Sequence, residues 1–199
     1  MATKKLRVPT EIYQIKITLR GVTPAVWRRV LVSADMTLGG LHEVLQIAMG
    51  WSNYHMHDFC IAKQEFSSHD LGYADLGLPE SIDENSVRLR DVLGSVGAKA
   101  MYSYDFGDDW QHNLVVEKIL PPADGVVYPV CKAGKRNCPP EDCGGPYGYY
   151  DLLNTFPDSE DPEYLGMIAH DPEAFSLEAV NSDLAPSPPI RSARRAPKR

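Results

Sequence analysis

The sequence predicts an α+β fold with a mainly antiparallel sheet of hairpins, one early buried helix and several short C-terminal helices. Two observations support this prediction: the extended segments come in pairs joined by short turns, and most helical patterns lie near the C-terminus. Strands grouped in hairpins, rather than alternating with helices, are typical of this class. The length of 199 residues suits one domain. We place it at residues 11–185, between a flexible N-terminus (1–10) and a disordered basic tail (186–199).

The first hairpin is predicted from the alternation of side chains. From Ile12 to Arg20, apolar and polar residues alternate, which is the period of a strand with one buried face. Gly21 to Pro24 supplies a turn, and Val26 to Val32 is rich in β-branched residues. The short connection predicts that the two strands pair in the antiparallel direction.

The early helix is predicted from spacing and from its two ends. Thr37 is a suitable N-cap, and apolar residues recur at spacings of three and four from Leu38 to Ala48. Gly50 fits a C-terminal stop. Further apolar residues widen the buried face, so we expect this helix to be well buried.

The rest of the chain is also predicted to form short strands and short helices. A second hairpin is predicted from two strands and the turn Gly107 to Asp109 between them. A polar segment from Glu65 to Asn85 is interpreted as a long loop that leaves room for one short strand. The other predicted elements are an extended segment at His55–Ala62, hairpin strands at Lys99–Phe106 and Trp110–Leu120, and short helices at Val87–Leu93, Tyr149–Phe156, Glu163–His170 and Leu177–Leu184.

The segment from Tyr128 to Tyr150 differs in composition from the rest of the chain. It holds three of the four cysteines together with several prolines and glycines. Proline and glycine interrupt both helices and strands, so we expect an irregular path. The segment is predicted to be a stiff loop that docks the C-terminal helices against the sheet.

Charge and hydropathy limit the classes of function. The net charge of −7 argues against binding nucleic acid over the whole surface, although the tail PSPPIRSARRAPKR offers local basic charge. That tail is expected either to be solvated without function or to add salt-sensitive affinity for nucleic acid. No apolar run of about 18 residues and no secretory signal is present. The chain is therefore expected to be cytoplasmic, without a membrane partner and with reduced thiols.

Three segments resemble, in the same order, the plasmid pRiA4b ORF-3-like family. They are GVTPAVWRRVLV with the following LHEVLQIAMGWSNYHMHDF, then YSYDFGDDWQHNLVVEKI, and then YPVCKAGKRNCPPEDCGGPYGYYDLL. The resemblance implies an α+β domain of bacterial, archaeal or plasmid origin. It implies no established enzymatic activity, because the family is known chiefly through uncharacterised proteins. Its name links some members to plasmids or mobile elements.

The cysteines of the third segment leave three interpretations open. Among Cys131, Cys138 and Cys143, only Cys138 and Cys143 are near the spacing of paired zinc ligands, and no second pair is present. The thiols either pack as small apolar groups, or bind a zinc ion that stabilises the loop, or form a redox pair. Packing is the preferred interpretation.

Histidines and carboxylates in the first two segments suggest a second kind of site. His55 and His57 are two residues apart, so on a strand they would share one face. Near the hairpin turn, carboxylates and a histidine offer ligands or acid–base groups for a divalent metal such as zinc. The bland alternative is that the aspartates cap their own turn. Candidate catalytic residues are His57, Asp105, Asp108, His112 and Glu141; candidate metal ligands are Cys131, Cys138, Cys143, His55, His57 and His112.

Candidate binding residues come from the turn before the predicted helix and from the aromatic residues. Glycines before a helix leave N–H groups that bind an anion or allow close docking. Aromatic residues beside arginines suit stacking on nucleic acid, although core packing is their ordinary role. The candidates are Arg28, Trp110, Asp142, Gly144, Gly145 and Tyr149.

The preferred interpretation is a binding or accessory module with a protein or nucleic-acid partner, rather than an enzyme. No complete catalytic signature is present, and no cofactor is assigned. The first alternative is a metal-dependent hydrolytic enzyme that uses the His/Asp residues. The second alternative is a zinc-stabilised cysteine loop with a structural role.

Overall fold

The structure, a computed structural model, describes residues 9–69, 81–155 and 170–185. These segments contain one eight-stranded sheet in the order β5-β4-β3-β6-β7-β1-β2-β8. The strands are β1 (Ile12–Leu19), β2 (Trp27–Ser33), β3 (His57–Ile61), β4 (Gln64–Ser67), β5 (Ile82–Asp83), β6 (Lys99–Tyr104), β7 (Trp110–Leu120) and β8 (Val130–Lys135). The helices are α1 (Leu38–Met49), α2 (Leu89–Val92), α3 (Gly145–Thr155) and α4 (Leu177–Leu184), and a 3-10 turn spans Glu84–Ser86. The predicted α+β class is confirmed.

The sheet is mixed, with a single parallel pair among the described strands. β4 and β5 run parallel, and the other neighbouring strands pair in the antiparallel direction. β1 lies between β2 and β7, so that Ile15 faces Val30 on one side and Val116 on the other. All three side chains are buried. Side chains of these three central strands therefore form part of the hydrophobic core.

Helix α1 covers the core and carries polar side chains into it. The Thr37 hydroxyl accepts a hydrogen bond from the Gly40 amide at 3.1 Å, which caps the first turn. Gly50 ends the helix in the left-handed region with φ of 87°. His42 and Gln46, spaced by one helical turn, are buried together with the apolar face. The helix thereby brings two polar side chains to the sheet.

The segment from Tyr128 to Tyr150 is more regular than the sequence predicts. Its first part forms strand β8, which pairs with β2, and its last part belongs to α3, which begins at Gly145. The expectation of an irregular path throughout is therefore wrong. The prolines flank the strand instead of interrupting it, and an edge strand needs partners on only one side. Pro146 lies in the first turn of α3, where its missing N–H costs nothing.

One further difference concerns the predicted loop. The polar segment interpreted as a loop contains the short strands β4 and β5. Most of the predicted helix Glu163–His170, the basic tail and nearly all of the N-terminal ten residues lie outside the described residues. Within the described segments, the structure contains no helix that combines the length and apolar character needed to cross a membrane.

Candidate functional site

A cavity of about 580 Å³ lies between the first turns of α1 and the segment that leads into β3. A volume of this size suits a small molecule. Its walls include Thr37, Gly40, Asn53, His55, His57 and Glu84. Residues from four parts of the chain therefore meet at one cavity, and most of them carry polar side chains.

One wall of the cavity is held by a closed cycle of four hydrogen bonds. Gln46 Nε2 donates to the Tyr102 hydroxyl at 2.9 Å, and this hydroxyl lies 2.8 Å from His42 Nδ1. His42 Nε2 lies 2.9 Å from Asn53 Oδ1, and the Asn53 amide donates to Gln46 Oε1 at 3.1 Å. Because Asn53 Oδ1 only accepts, His42 carries its proton on Nε2 and accepts from Tyr102 at Nδ1. The cycle fixes the ring orientation of His42.

His42 is neutral at ordinary pH. Burial lowers the pKa of His42 to about 3, and the neighbouring His57 lowers that pKa further, against the effect of the Asn53 hydrogen bond. A buried imidazole favours the uncharged form because a low-dielectric interior solvates charge poorly. The neutral ring matches the single proton that the hydrogen-bond cycle requires.

His57 forms a buried pair with a carboxylate. Its Nε2 donates toward both Glu84 oxygens at 3.0 and 3.1 Å, and both residues are only 2% exposed. The rings of His42 and His57 stack with their centroids 3.5 Å apart and their planes inclined by 3°. His57 is the first residue of β3, whereas His55 precedes the strand. The two imidazoles expected to share one ion therefore have different partners.

A second cluster forms at His55. Among the described residues, one group of His, Cys, Asp or Glu ligand atoms lies close enough to share a metal ion, namely His55, Asp105 and Asp142, within 4.8 Å of one another. His55 Nδ1 is 3.7 Å from Asp105 Oδ2, and His55 Nε2 is 3.2 Å from Asp142 Oδ1. The three residues were candidates of three different kinds, and the structure brings them together.

The carboxylates of Glu141 and Asp108 accept hydrogen bonds from other residues of the chain. The Tyr104 hydroxyl donates to Glu141 at 2.6 Å, and the Ser52 amide donates to the same carboxylate at 2.9 Å. Burial, with the nearby Glu141, raises the pKa of Tyr104. Asp108 Oδ2 accepts from the Gly144 amide at 3.1 Å. These contacts hold the segment from Pro139 to Gly145, here called the Pro/Gly loop, against the β6–β7 turn and the end of α1.

His112 lies in the core rather than at the metal-ligand cluster. It is fully buried, with Nδ1 3.4 Å from the Tyr102 carbonyl oxygen and its ring edge-on to Trp51. Burial lowers the pKa of His112 to about 4. The candidate set of His57, His112 and the turn carboxylates is thus divided among three separate environments.

The cysteines do not meet the distance condition for a shared ion. Cys131, Cys138 and Cys143 are described residues, yet they form no group of three ligand atoms within 4.8 Å. Burial raises the pKa of Cys143 to about 12 and also raises the pKa of Cys131 and Cys138. Protonated, buried thiols are poor ligands and poor nucleophiles. The geometry favours packed thiols over a zinc-stabilised loop.

Three of the candidate binding residues are buried and cannot stack on nucleic acid as they stand. Arg28, Trp110 and Tyr149 are at most 2% exposed. The Arg28 guanidinium donates to the Ala48 carbonyl at 2.7 Å and lies over the ring of Phe175. These candidate binding residues belong to the core, as aromatic residues ordinarily do.

Gly145, a candidate for anion binding, is a docking position. It has a positive φ of 67°, and a Cβ atom there would overlap the Asp108 carbonyl oxygen. The backbone of the Pro/Gly loop therefore approaches the β6–β7 turn too closely for any side chain at this position. This contact agrees with the predicted docking role of the loop.

Comparison with known proteins assigns the whole described fold to one family. The family model of the plasmid pRiA4b ORF-3-like protein matches residues 11–184. The chain belongs to this family. The resemblance noted in three ordered segments is therefore confirmed over nearly the full domain.

Two relatives of this pRiA4b ORF-3-like chain illustrate the spread of the family. The uncharacterised protein y4hQ of Sinorhizobium fredii is 37% identical over 183 residues, which cover 85% of this chain and 89% of the relative. The crystal structure of MM3350, a protein of unknown function from Methanosarcina mazei Go1, is 33% identical with a TM-score of 0.72. That match covers 86% of this chain and 97% of the other. The chain is therefore similar to y4hQ in sequence over most of its length, and it shares its fold with MM3350.

Sequence reasoning missed three residues of the cavity in this pRiA4b ORF-3-like chain. His42 has a recognisable signal, because it lies one turn before Gln46 on a helix whose face is otherwise apolar. No sequence pattern marks Asn53 as a residue of the cavity. Glu84 falls in the segment interpreted as a polar loop, where carboxylates are common. Its burial beside His57 becomes visible only after folding.

Proposed function

We propose that this protein is a binding module that holds a small polar ligand in the cavity beside α1. The observation that supports the proposal is the buried group of His42, His57 and Glu84 at the wall of an open cavity of about 580 Å³. Buried polar groups cost stability unless they are fully hydrogen-bonded. A rigid polar wall beside an open volume is the usual arrangement of a binding site.

The charge of the lining residues favours one class of ligand. Glu43 and Glu84 line the cavity, and among the described lining residues there is no lysine or arginine. A phosphate or other anion would meet these carboxylates without a cationic partner. A neutral or cationic group, such as an amine or an amide, would be complementary to them. The ligand we propose is therefore a small amine- or amide-bearing molecule.

An accessory role in a plasmid or mobile-element setting is a weaker part of the proposal. It is supported by the family's name alone. The net charge of −7 and the burial of Arg28 and Tyr149 favour a small ligand over direct nucleic-acid contact. A protein partner that inserts a lysine or amide side chain would satisfy the same cavity chemistry.

The ligand proposal predicts selective stabilisation by amines. A thermal-shift screen of amino acids, polyamines and amides is expected to raise Tm, because a ligand that binds only the folded state stabilises it. Inorganic phosphate and nucleotides are expected to leave Tm unchanged. Glu43→Gln and Glu84→Gln are each expected to weaken the selected ligand by about tenfold, the scale of one charge-assisted hydrogen bond.

The matched control for the ligand experiment is Glu65→Gln. Glu65 is exposed on β4 and does not line the cavity, so the affinity measured by calorimetry should equal that of the wild type. Stabilisation by anions alone would contradict the proposal. So would equal affinity in both cavity variants, or a screen in which no compound stabilises the protein.

A metal-dependent hydrolytic enzyme is the second candidate. It is favoured by the group His55, Asp105 and Asp142 beside the same cavity. Protein supplied with Mn²⁺ or Zn²⁺ would then hydrolyse model phosphodiesters or esters, and Asp105→Asn would abolish that rate. An equal rate in wild type and Asp105→Asn would exclude this candidate.

A further inference from the structure

We propose that His55, Asp105 and Asp142 form a site for a divalent first-row transition metal ion, of the Mn²⁺ or Zn²⁺ type. The site ties together three segments: the approach to β3, the β6–β7 turn and the Pro/Gly loop before α3. The proposal goes beyond the cavity ligand and does not require one.

The three ligand residues are distant in sequence and converge in space. One ligand atom from each residue lies within 4.8 Å of the other two. His55 Nδ1 is 3.7 Å from Asp105 Oδ2, and His55 Nε2, the other ring nitrogen, is 3.2 Å from Asp142 Oδ1. Ligand atoms around one ion lie about 3 Å apart, since each bond is about 2 Å long. Small side-chain rotations therefore close the group around an ion.

Asp105 is oriented for coordination by its own surroundings. Its Oδ1 accepts from the Gly107 amide at 2.9 Å, while Oδ2 is the atom directed toward His55. The Asp105 amide donates to the Met56 carbonyl at 2.8 Å, which fixes residue 105 beside the His55 segment. Such supporting hydrogen bonds hold a metal ligand in place and leave the coordinating oxygen available.

The charge balance of the group calls for a cation. Two carboxylates face one imidazole, and Asp105 is only 8% exposed. The buried Nε2 of His55 has no hydrogen bond, because its contact with Asp142 lacks hydrogen-bond geometry. An ion bound at this nitrogen would satisfy it and neutralise both carboxylates.

The ligand types select the kind of ion. An imidazole combined with two carboxylates suits Mn²⁺, Fe²⁺ or Zn²⁺, whereas Ca²⁺ and Mg²⁺ prefer oxygen ligands alone. Three protein ligands leave coordination positions open for water. His55 also lines the cavity, so the ion would lie at the cavity rim.

The test is metal titration of the full chain, purified without a polyhistidine tag and stripped with a chelator. Calorimetry with Mn²⁺ and with Zn²⁺ is expected to give one ion per chain, and bound Mn²⁺ should change the electron paramagnetic resonance spectrum. His55→Ala, Asp105→Asn and Asp142→Asn are each expected to weaken binding at least tenfold. Loss of one ligand from a three-ligand site is at least as damaging as loss of a supporting residue.

The matched control is Asp109→Asn, an equivalent change in the same turn. Asp109 binds Gln111 and is not one of the three ligands, so its metal affinity should equal that of the wild type. Glu84→Gln should also retain full metal affinity, which separates this test from that of the cavity ligand. Circular dichroism checks that each variant is folded.

Two results would overturn the metal site. One is a wild-type protein that binds neither ion. The other is stoichiometric binding that survives in folded Asp105→Asn and Asp142→Asn.

Discussion

Replacing Gly145 with alanine is expected to destabilise the fold by about 3 kcal/mol, the sum of a backbone and a steric cost. Gly145 has a φ of 67°, which costs an L-residue about 1–2 kcal/mol. A Cβ atom there would also overlap the Asp108 carbonyl oxygen, which is backbone and cannot rotate away. Separating the loop from the turn to relieve this overlap costs about 1–3 kcal/mol more. Denaturation by urea measures the free energy of unfolding directly.

Gly125→Ala provides the matched control for this prediction. Gly125 has a similar φ of 74°, but no atom lies within 4 Å of the position that a Cβ would occupy. Alanine there bears only the backbone cost, about 1–2 kcal/mol. The difference between the two variants isolates the docking of the Pro/Gly loop. Equal destabilisation would mean that the loop does not need its close approach to Asp108.

Lowering the pH from 7 toward 5 is expected to destabilise the protein steeply. The pKa values of His42 and His112 are about 3 and about 4 in the folded state, below the ordinary 6.5, because both rings are buried. Below pH 6.5 the unfolded chain therefore binds protons at these two histidines, whereas the folded chain does not bind them until the pH is much lower. Stability from this source is complete above pH 6.5 and falls as the pH drops toward 4. Each histidine contributes a slope of about 1.4 kcal/mol per pH unit.

Urea titrations at half-unit steps between pH 7 and pH 5 check this prediction. His42→Gln removes one of these rings, so its slope should be smaller than that of the wild type by about 1.4 kcal/mol per pH unit. His69→Gln changes an exposed histidine and should keep the full slope. A wild-type free energy of unfolding that is constant across this range would show that both rings accept protons without cost.

Much of the fold is predictable because its signals are local. Alternation along Ile12 to Arg20 and helical spacing from Leu38 to Ala48 mark where β1 and α1 form. Each pattern reports which face of its own element is buried, and it does so within one or two turns of chain. Strand β8 was missed because proline and glycine on either side obscure a short edge strand.

The candidate site was predictable only in part. His55 and Asp105 were placed in one His/carboxylate set, but no sequence pattern added Asp142 to it or separated the pair from His57 and His112. That grouping depends on the β6–β7 turn, where the Asp105 amide binds the Met56 carbonyl. The cavity residue Glu84 pairs with a histidine 27 positions away, and no local periodicity reports such a contact.

The amino-acid sequence by itself determines the order of the motifs, the family and the α+β class. The class follows from the local spacing of apolar residues, and the family follows from the matched segments. Which polar side chains are buried, and beside which partner, follows from packing across the sheet. His112 illustrates the limit: it resembles a ligand in sequence, and β7 turns it into the core. Contacts between residues distant in sequence form only when the chain folds, and the candidate site at His55, Asp105 and Asp142 consists of such contacts.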